Sequence, residues 1–441
     1  MTAAQQAERA VARVLADLSD GSQRGVVVDS PPGAGKSALV VRAAAALAGG
    51  GERVMVVAQT NEQVDDLTDR VAAAAPALAI GRLSGHDYLP SPRIAAHAQV
   101  TVSSRLADLA HCPVLAGTAA KWVTLTGDAA WPWAIVDEAY QMRADTLLRI
   151  AGRFERALFV GDPGQLDPFS TLETARWTGL TWDPMQSAMA VLLRHNPGIP
   201  VRQLPVSWRL PHTAAPVVSD AFYPFSGFES GTGPGERRLE LTTRALGDGP
   251  ADEAIETAAR SGWALYEMPP RQTVRTDAAT VTACAALAAR LVQRGAVAHS
   301  DRAPDGARVT ADRIAIGTAH RDQARAIRAA LVPFGPGLAE VAVDTANRLQ
   351  GREFDVTIVL HPLSGRRDAT AFHLEAGRLC VLTSRHRHAC IVVARAGIPE
   401  LLDAHPATEP VHLNVPAKFP DGWEANHAVM AHLTQWRVMA S

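Results

Sequence analysis

Short continuous apolar runs alternate with longer stretches of helical periodicity along most of this chain. Residues 4 to 18 place Ala7, Ala10, Val11 and Leu15 on one side of a helix, and Gly25 to Asp29, with Val26, Val27 and Val28 at its heart, reads as a buried strand. A helix-like run from Ser37 to Leu47 stops at Gly49-Gly50-Gly51, as glycines after a helix should. Val54 to Ala58 is a second strand and Asn61 to Ala73 a helix; Val100 to Ser103, Ala134 to Val136 and Ala157 to Val160 follow as strands. A segment punctuated by Trp, Gly and Pro, from about Thr174 to Pro200, leads to a second set that begins after Arg209. Its strands are Ile314 to Gly317, Val341 to Val343, Val356 to Leu360 and Cys390 to Val393. Continuous Val/Ile/Leu strands separated by helices predict an α/β fold of two tandem units, each a parallel sheet covered by helices on both faces. We place the first domain at 1–180, the second at 181–398 with a polar surface excursion at 226–250, and a C-terminal extension at 399–441. That tail puts Trp423, Val429, Leu433 and Trp436 on one helical face, suited to packing on the second domain or to binding a partner.

Composition adds limits. At 441 residues, 20% charged and 47% apolar, the chain has the make-up of an ordinary soluble protein of two to three domains. It contains no 18-residue apolar run, and Met1-Thr2-Ala3-Ala4-Gln5-Gln6 lacks a signal peptide's charged and apolar regions, so we expect a cytoplasmic protein with no membrane association. Cys112, Cys284, Cys380 and Cys390 are widely spaced and read as buried reduced thiols. A net charge of −2 offers no global attraction for nucleic acid, so any strand must be held in a local groove.

The chemistry starts at Ser30-Pro31-Pro32-Gly33-Ala34-Gly35-Lys36-Ser37, between the first strand and the following helix. Gly33 and Gly35 leave backbone N–H groups free to face a polyphosphate, and the helix turns its positive end to the same anion. Lys36 then reaches the outer phosphates and the Ser37 hydroxyl is a magnesium ligand; Ser30 stands where the full motif has glycine. Ala134-Ile135-Val136-Asp137-Glu138-Ala139 is a strand ending in two carboxylates. Such a pair also suits a helix start. Beside a phosphate loop, Asp137 holds magnesium and Glu138 orients or deprotonates the attacking water. In Gly161 to Pro168, Gln165 can sense a γ-phosphate or its water without adding charge. Arginines supplied by the second domain would stabilise the charge that develops on hydrolysis.

In order, these segments resemble a superfamily 1 helicase, and within it the 5′-to-3′ branch that includes the nonsense-mediated-decay RNA helicase and its DNA-acting relatives. The resemblance runs from about residue 25 to 395. Ser30 to Ser37 matches the nucleotide-binding motif, with Pro32, Gly33, Ala34, Gly35, Lys36 and Ser37 around the phosphates. Ala58 to Leu67 resembles the strand-contacting motif, Asp137-Glu138-Ala139-Tyr140-Gln141 the Asp-Glu-Ala-x-Gln box, and Gly161 to Pro168 the Gly-Asp-x-x-Gln-Leu-x-Pro box. Leu204 to Pro211 resembles the Gln-Tyr-Arg-Met segment, with Arg209 as an arginine finger and Trp208 in the tyrosine's place. An indole there can stack on the nucleotide base or belong to the core. Thr318 to Gln323 resembles the motif after a second-domain strand. Leu349 to Asp355 matches the Gln-Gly-Arg-Glu box, with Gly351 and Glu353 at the nucleotide and Asn347 replacing an aspartate. Arg378 to Arg385 resembles the last motif, whose second finger is Arg385, flanked by Ser384 and His386 where Thr and Ala are usual.

The resemblance implies two RecA-like P-loop NTPase domains that bind ATP and Mg2+, hydrolyse ATP and move along single-stranded DNA or RNA. Thr60, Asn61, Thr318 and Arg352 would touch the phosphate backbone. A nucleotide-gated switch that binds a protein or nucleic-acid partner without unwinding is the alternative reading, and a nucleoside-triphosphate kinase a weaker third.

Overall fold

A computed structural model gives the structure of residues 1–440 except 21, 169–174, 178–179, 181–182, 184–185, 244–248, 274 and 407–420. Thr174, where we placed the start of the connecting segment, lies outside the described residues. The described residues form two compact units, one within 1–163 and 167–205, the other within 164–166, 206–406 and 421–440.

In the first unit, β1 (Gly25–Asp29), β2 (Val54–Ala58), β3 (Ile80–Leu83), β4 (Val100–Ser103), β5 (Val114–Thr118), β6 (Trp131–Asp137), β7 (Phe154–Gly161) and β8 (Val201–Gln203) build one parallel sheet in the order β4-β3-β5-β2-β6-β7-β1-β8. Alternate residues of each strand feed opposite layers. Val26, Val28, Val54, Val56, Ile135 and Leu158 pack with α1 (Ala3–Asp20), α2 (Lys36–Gly49) and α3 (Asn61–Ala74) on one face. Val27, Met55, Val57, Ala134, Val136 and Phe159 pack with Trp122, Met142, Leu147 and Ile150 on the other. The continuous apolar runs are therefore two interleaved period-2 faces, each buried.

The second unit contains β9 (Val206–Ser207), β10 (Glu229–Ser230), β11 (Arg238–Leu241), β12 (Trp263–Met268), β13 (Ala296–Ser300), β14 (Ala303–Arg308), β15 (Ile314–Thr318), β16 (Ala342–Thr345), β17 (Phe354–Leu360), β18 (His386–Arg395) and β19 (Arg437–Met439). Its main sheet is parallel, ordered β16-β15-β17-β18-β12-β19, and two apolar layers again enclose it. β9 pairs with β10, and β11, β13 and β14 form a small antiparallel sheet. Both pairings use residues of 226–250, whose Phe228 and Leu239 are buried. The helix Gly422–Leu433 buries Val429 and Leu433 in one layer with Trp423 and Trp436 packed against it, and β19 extends the sheet beyond β12. All four cysteines are buried, and none is in a disulfide. Among the described residues no helix is long and apolar enough to cross a membrane.

Three second-unit histidines, His361, His373 and His386, are 1%, 5% and 0% exposed. Burial pulls their pKa values from 6.5 down to about 3, about 4 and about 3, with nearby positive groups, Arg366 for His373 and His388 for His386, adding to the latter two. Between those values and 6.5 the unfolded chain binds more protons than the folded one, so stability rises with pH across the window and levels off above it. We expect the second unit's unfolding midpoint to be flat above about pH 7 and to fall steadily from there toward about pH 4. Calorimetry across that range checks this.

Candidate nucleotide and nucleic-acid site

Asp29, Asp137 and Gly161 end β1, β6 and β7, and the register pairs Asp29 with Gly161 and Asp137 with Val160. Adjacent strand ends thus bring the phosphate loop beside the two-carboxylate box, at the carboxyl edge where open α/β sheets bind ligands. Within the loop, Ser30 N donates to Gly161 O at 2.8 Å and Ala34 N to Pro31 O at 3.1 Å. Gly33 and Gly35 have φ of 74° and 90°, which a side chain rarely tolerates, and the side of Gly35 that a Cβ would occupy is open. Lys36 and Ser37 begin α2 directly after this turn.

Lys36 Nζ forms an ion pair with Glu138 Oε1 and lies 3.9 Å from Asp137 Oδ1. Burial alone would lower its pKa, but attraction from Glu138, Asp137 and Asp162 outweighs this and raises it. Burial pushes the Asp137 carboxyl up to about 6 against the opposing pull of Lys36, with Glu138 adding to the rise. Glu138 has φ of 52°, the one non-glycine residue with positive φ among the described residues. Such strain is held only where the surroundings over-determine it. Here Gln141 Nε2 donates to Glu138 Oε2 at 2.7 Å, and Tyr140 Oη donates to Asp29 Oδ1 at 2.5 Å. A Cβ on Gly161 would come within 3.0 Å of Ala139 N and Tyr140 N, so this glycine admits the box. The buried Asp137 Oδ1 accepts no hydrogen bond from the described residues. A buried carboxylate oxygen without a hydrogen bond suits a small oxygen-seeking cation, so Asp137 fits magnesium.

Thr60 caps α3, its hydroxyl accepting from Gln63 N while Gln63 Oε1 accepts from Thr60 N. Next to it, Asn61 Oδ1 accepts from Arg82 Nη2 at 2.9 Å, which turns the amide donors of Asn61 away from Arg82. Arg82 is fully buried, bonds Asp65 Oδ1 through Nε at 2.9 Å and lies 4.5 Å from the Tyr88 ring, whose hydroxyl also binds Asp65. The sequence reading missed Arg82 and Tyr88 and gave Asp65 no role of its own within the Ala58 to Leu67 motif; the Asp65 to Arg82 spacing across α3 and β3 carried no local signal.

In the second unit, Arg209 Nε donates to Glu353 Oε2 at 3.3 Å and Arg209 Nη1 to Ser384 O at 3.5 Å. Arg387 Nη1 donates to Glu353 Oε1 at 3.1 Å. Burial raises the Glu353 pKa, but Arg209 and Arg387 prevail and hold it below the usual carboxylate range. Arg385 is 1% exposed with Nη2 on Ser384 Oγ at 2.8 Å. Arg209 and Arg385 therefore both reach Ser384, and Glu353 pairs with Arg209. Gln165 is buried in this unit, where a Cβ on Gly377 would fall 2.5 Å from its carbonyl oxygen. Trp208 is 38% exposed, a partly open ring rather than a core one. Gly351 has φ of 80°, and the Arg352 guanidinium lies 5.0 Å from the Phe354 ring. Thr318 is fully buried and its hydroxyl donates to His320 O at 3.1 Å. Asn347 accepts from Arg378 Nη1 at 3.4 Å.

Replacing Arg82 by Met leaves the Asp65 charge buried without its partner, and we expect a loss of about 3–5 kcal/mol in the first unit, partly recovered by adding Asp65→Asn. Urea unfolding of the single and double variants measures both.

Two family models, each described as an AAA domain, match residues 3–176 and 264–397. No curated protein matches the chain. Among solved structures, the PRRSV helicase is similar at 15% identity and a TM-score of 0.41, over 93% of this chain and 57% of that one. Arterivirus nonstructural protein 10 (helicase), solved with DNA, is similar at 14% identity and a TM-score of 0.42, over 88% of this chain and 62% of that one. The chain thus spans about three fifths of the length of these structures.

Proposed function

For a chain whose motifs resemble those of superfamily 1 helicases, with an AAA-domain match in each half, we propose an ATP-driven motor on single-stranded nucleic acid. The observation that carries the reading is the Lys36 ion pair with Glu138 beside Asp137, formed where β1, β7 and β6 end together. That arrangement supplies a cation for the outer phosphates, a carboxylate for a metal and a second carboxylate for water.

In the proposed mechanism, the N–H groups of residues 32–35 bind the phosphates and Lys36 fixes the outermost ones. Ser37 and Asp137 would hold magnesium, which would neutralise phosphate charge. Glu138 orients the attacking water and accepts its proton, and Gln165 senses the γ-phosphate. Arg209 and Arg385, brought by closure of the second domain, stabilise charge developing on the transferred phosphoryl group. Trp208 stacks on the base, while Gly351 and Glu353 engage the nucleoside. Thr60, Asn61, Thr318 and Arg352 form the track for the strand backbone; since Thr318 is buried, its part is to position the His320 turn. We assign 5′-to-3′ movement from the resemblance of the motifs. Contacts of this kind make binding depend on salt more than on sequence.

One observation favours the switch reading: only β3 and the short helix Pro92–Ala95 lie between α3 and β4, leaving little room for strand-gripping insertions. Tailed duplexes separate the readings. The motor unwinds a duplex carrying a 5′ tail when ATP is supplied; failure on both 5′- and 3′-tailed DNA and RNA leaves the switch. We expect Lys36→Ala and Glu138→Gln each to lower ATP turnover on the order of a hundredfold or more, and undiminished turnover in either purified variant contradicts the site.

A further inference from the structure

The stretch 226–250 carries residues that reach the Trp208-Arg209 turn. β9 leads into that turn and is braced by β10, pairing Val206 with Glu229 and Ser207 with Ser230. Gly231 N then donates to Ser207 O at 2.7 Å, and Ser230 Oγ to Leu210 O at 2.8 Å. Gly231 seats the indole: a Cβ there would lie 2.4 Å from Trp208 Cε3. Six residues on, Arg237 points back, donating through Nη2 to Trp208 O and through Nη1 to Arg209 O. Nη1 also lies 3.5 Å from Arg387 O.

We propose that Arg237 is a positioning residue for nucleotide hydrolysis, its guanidinium fork fixing the carbonyls of Trp208 and Arg209 so that the indole and the arginine finger are presented together. The proposal rests on the reading of Arg209 as a finger. Two adjacent carbonyls turned to one side need a donor with parallel N–H groups at fixed spacing, which guanidinium has and an ammonium lacks. With the backbone clamped, the Arg209 side chain is left to run toward Glu353 and Ser384. Burial, with repulsion from Arg387, lowers the Arg237 pKa to about 10, so the fork stays charged at neutral pH. A finger held in place before the transition state forms loses less entropy in reaching it.

The test compares ATP turnover of the full chain with Arg237→Ala, Arg237→Lys, Arg209→Ala and the Arg237→Ala/Arg209→Ala pair, alongside thermal unfolding. We expect Arg237→Ala to lower kcat on the order of tenfold with little change in the unfolding midpoint. Arg237→Lys, one ammonium facing two carbonyls, falls between it and the parent. The double variant is no slower than Arg209→Ala, because Arg237 acts through Arg209. Losses that multiply in the double variant overturn the proposal, as does unchanged kcat in Arg237→Ala when Arg209→Ala is impaired. Unchanged kcat in Arg209→Ala overturns the finger reading itself and this proposal with it. Should Arg237→Ala not fold, Gly231→Ala, which displaces the indole, is expected to raise KM for ATP several-fold; an unchanged KM there contradicts the seat.

Discussion

Two buried carboxylates beside a half-buried lysine are stable only if all three charges are held together, and the ends of β1, β7 and β6 hold them. Lys36 must start α2 directly after the loop, and Asp137 must end β6, with Glu138 just after it, two strands away from β1. Any slip in either register would strand a buried charge. The strained φ of Glu138, the Tyr140 bond to Asp29 and the side-chain-free Gly161 follow from the same requirement, since each aims a short segment at one lysine.

The second unit repeats the logic with the signs reversed. Glu353 is the carboxylate, and Arg209 and Arg387 close on it while Arg237 fixes the backbone from which Arg209 projects. Arginine suits this role because its fork can serve two acceptors in one plane. The composition concentrates positive charge in arginine, with lysine at only three positions, Lys36 among them.

Much of the fold was legible because parallel strands are short, apolar and bounded. β1, β2 and β4 match the runs read from sequence residue for residue, and the others among those read are longer or shifted by a few residues. β3 escaped: Gly81 and Arg82 interrupt its apolarity, yet Gly81 is there because Leu115 lies where its Cβ would be, and Arg82 is neutralised by Asp65. β5, β8 to β14 and β19 were also missed, β12 and β19 pairing across long sequence separations in the main sheet. The candidate site divides in the same way. Lys36, Asp137 and Glu138 sit in motifs whose local chemistry is self-evident, whereas Tyr140, Arg82 and Arg237 act through partners far along the chain and leave no local pattern. Arg237 in particular lies in a polar stretch rich in Gly and Pro, which reads as surface until its carbonyl partners are seen.

The proposed motor couples nucleotide hydrolysis in this chain to a single strand. ATP hydrolysis of the purified chain, titrated with single-stranded DNA and with RNA at low and high salt, tests it most directly. Turnover is expected to rise with either or both strands to a plateau and to need more strand at high salt. Turnover indifferent to both strands at every salt concentration would contradict it.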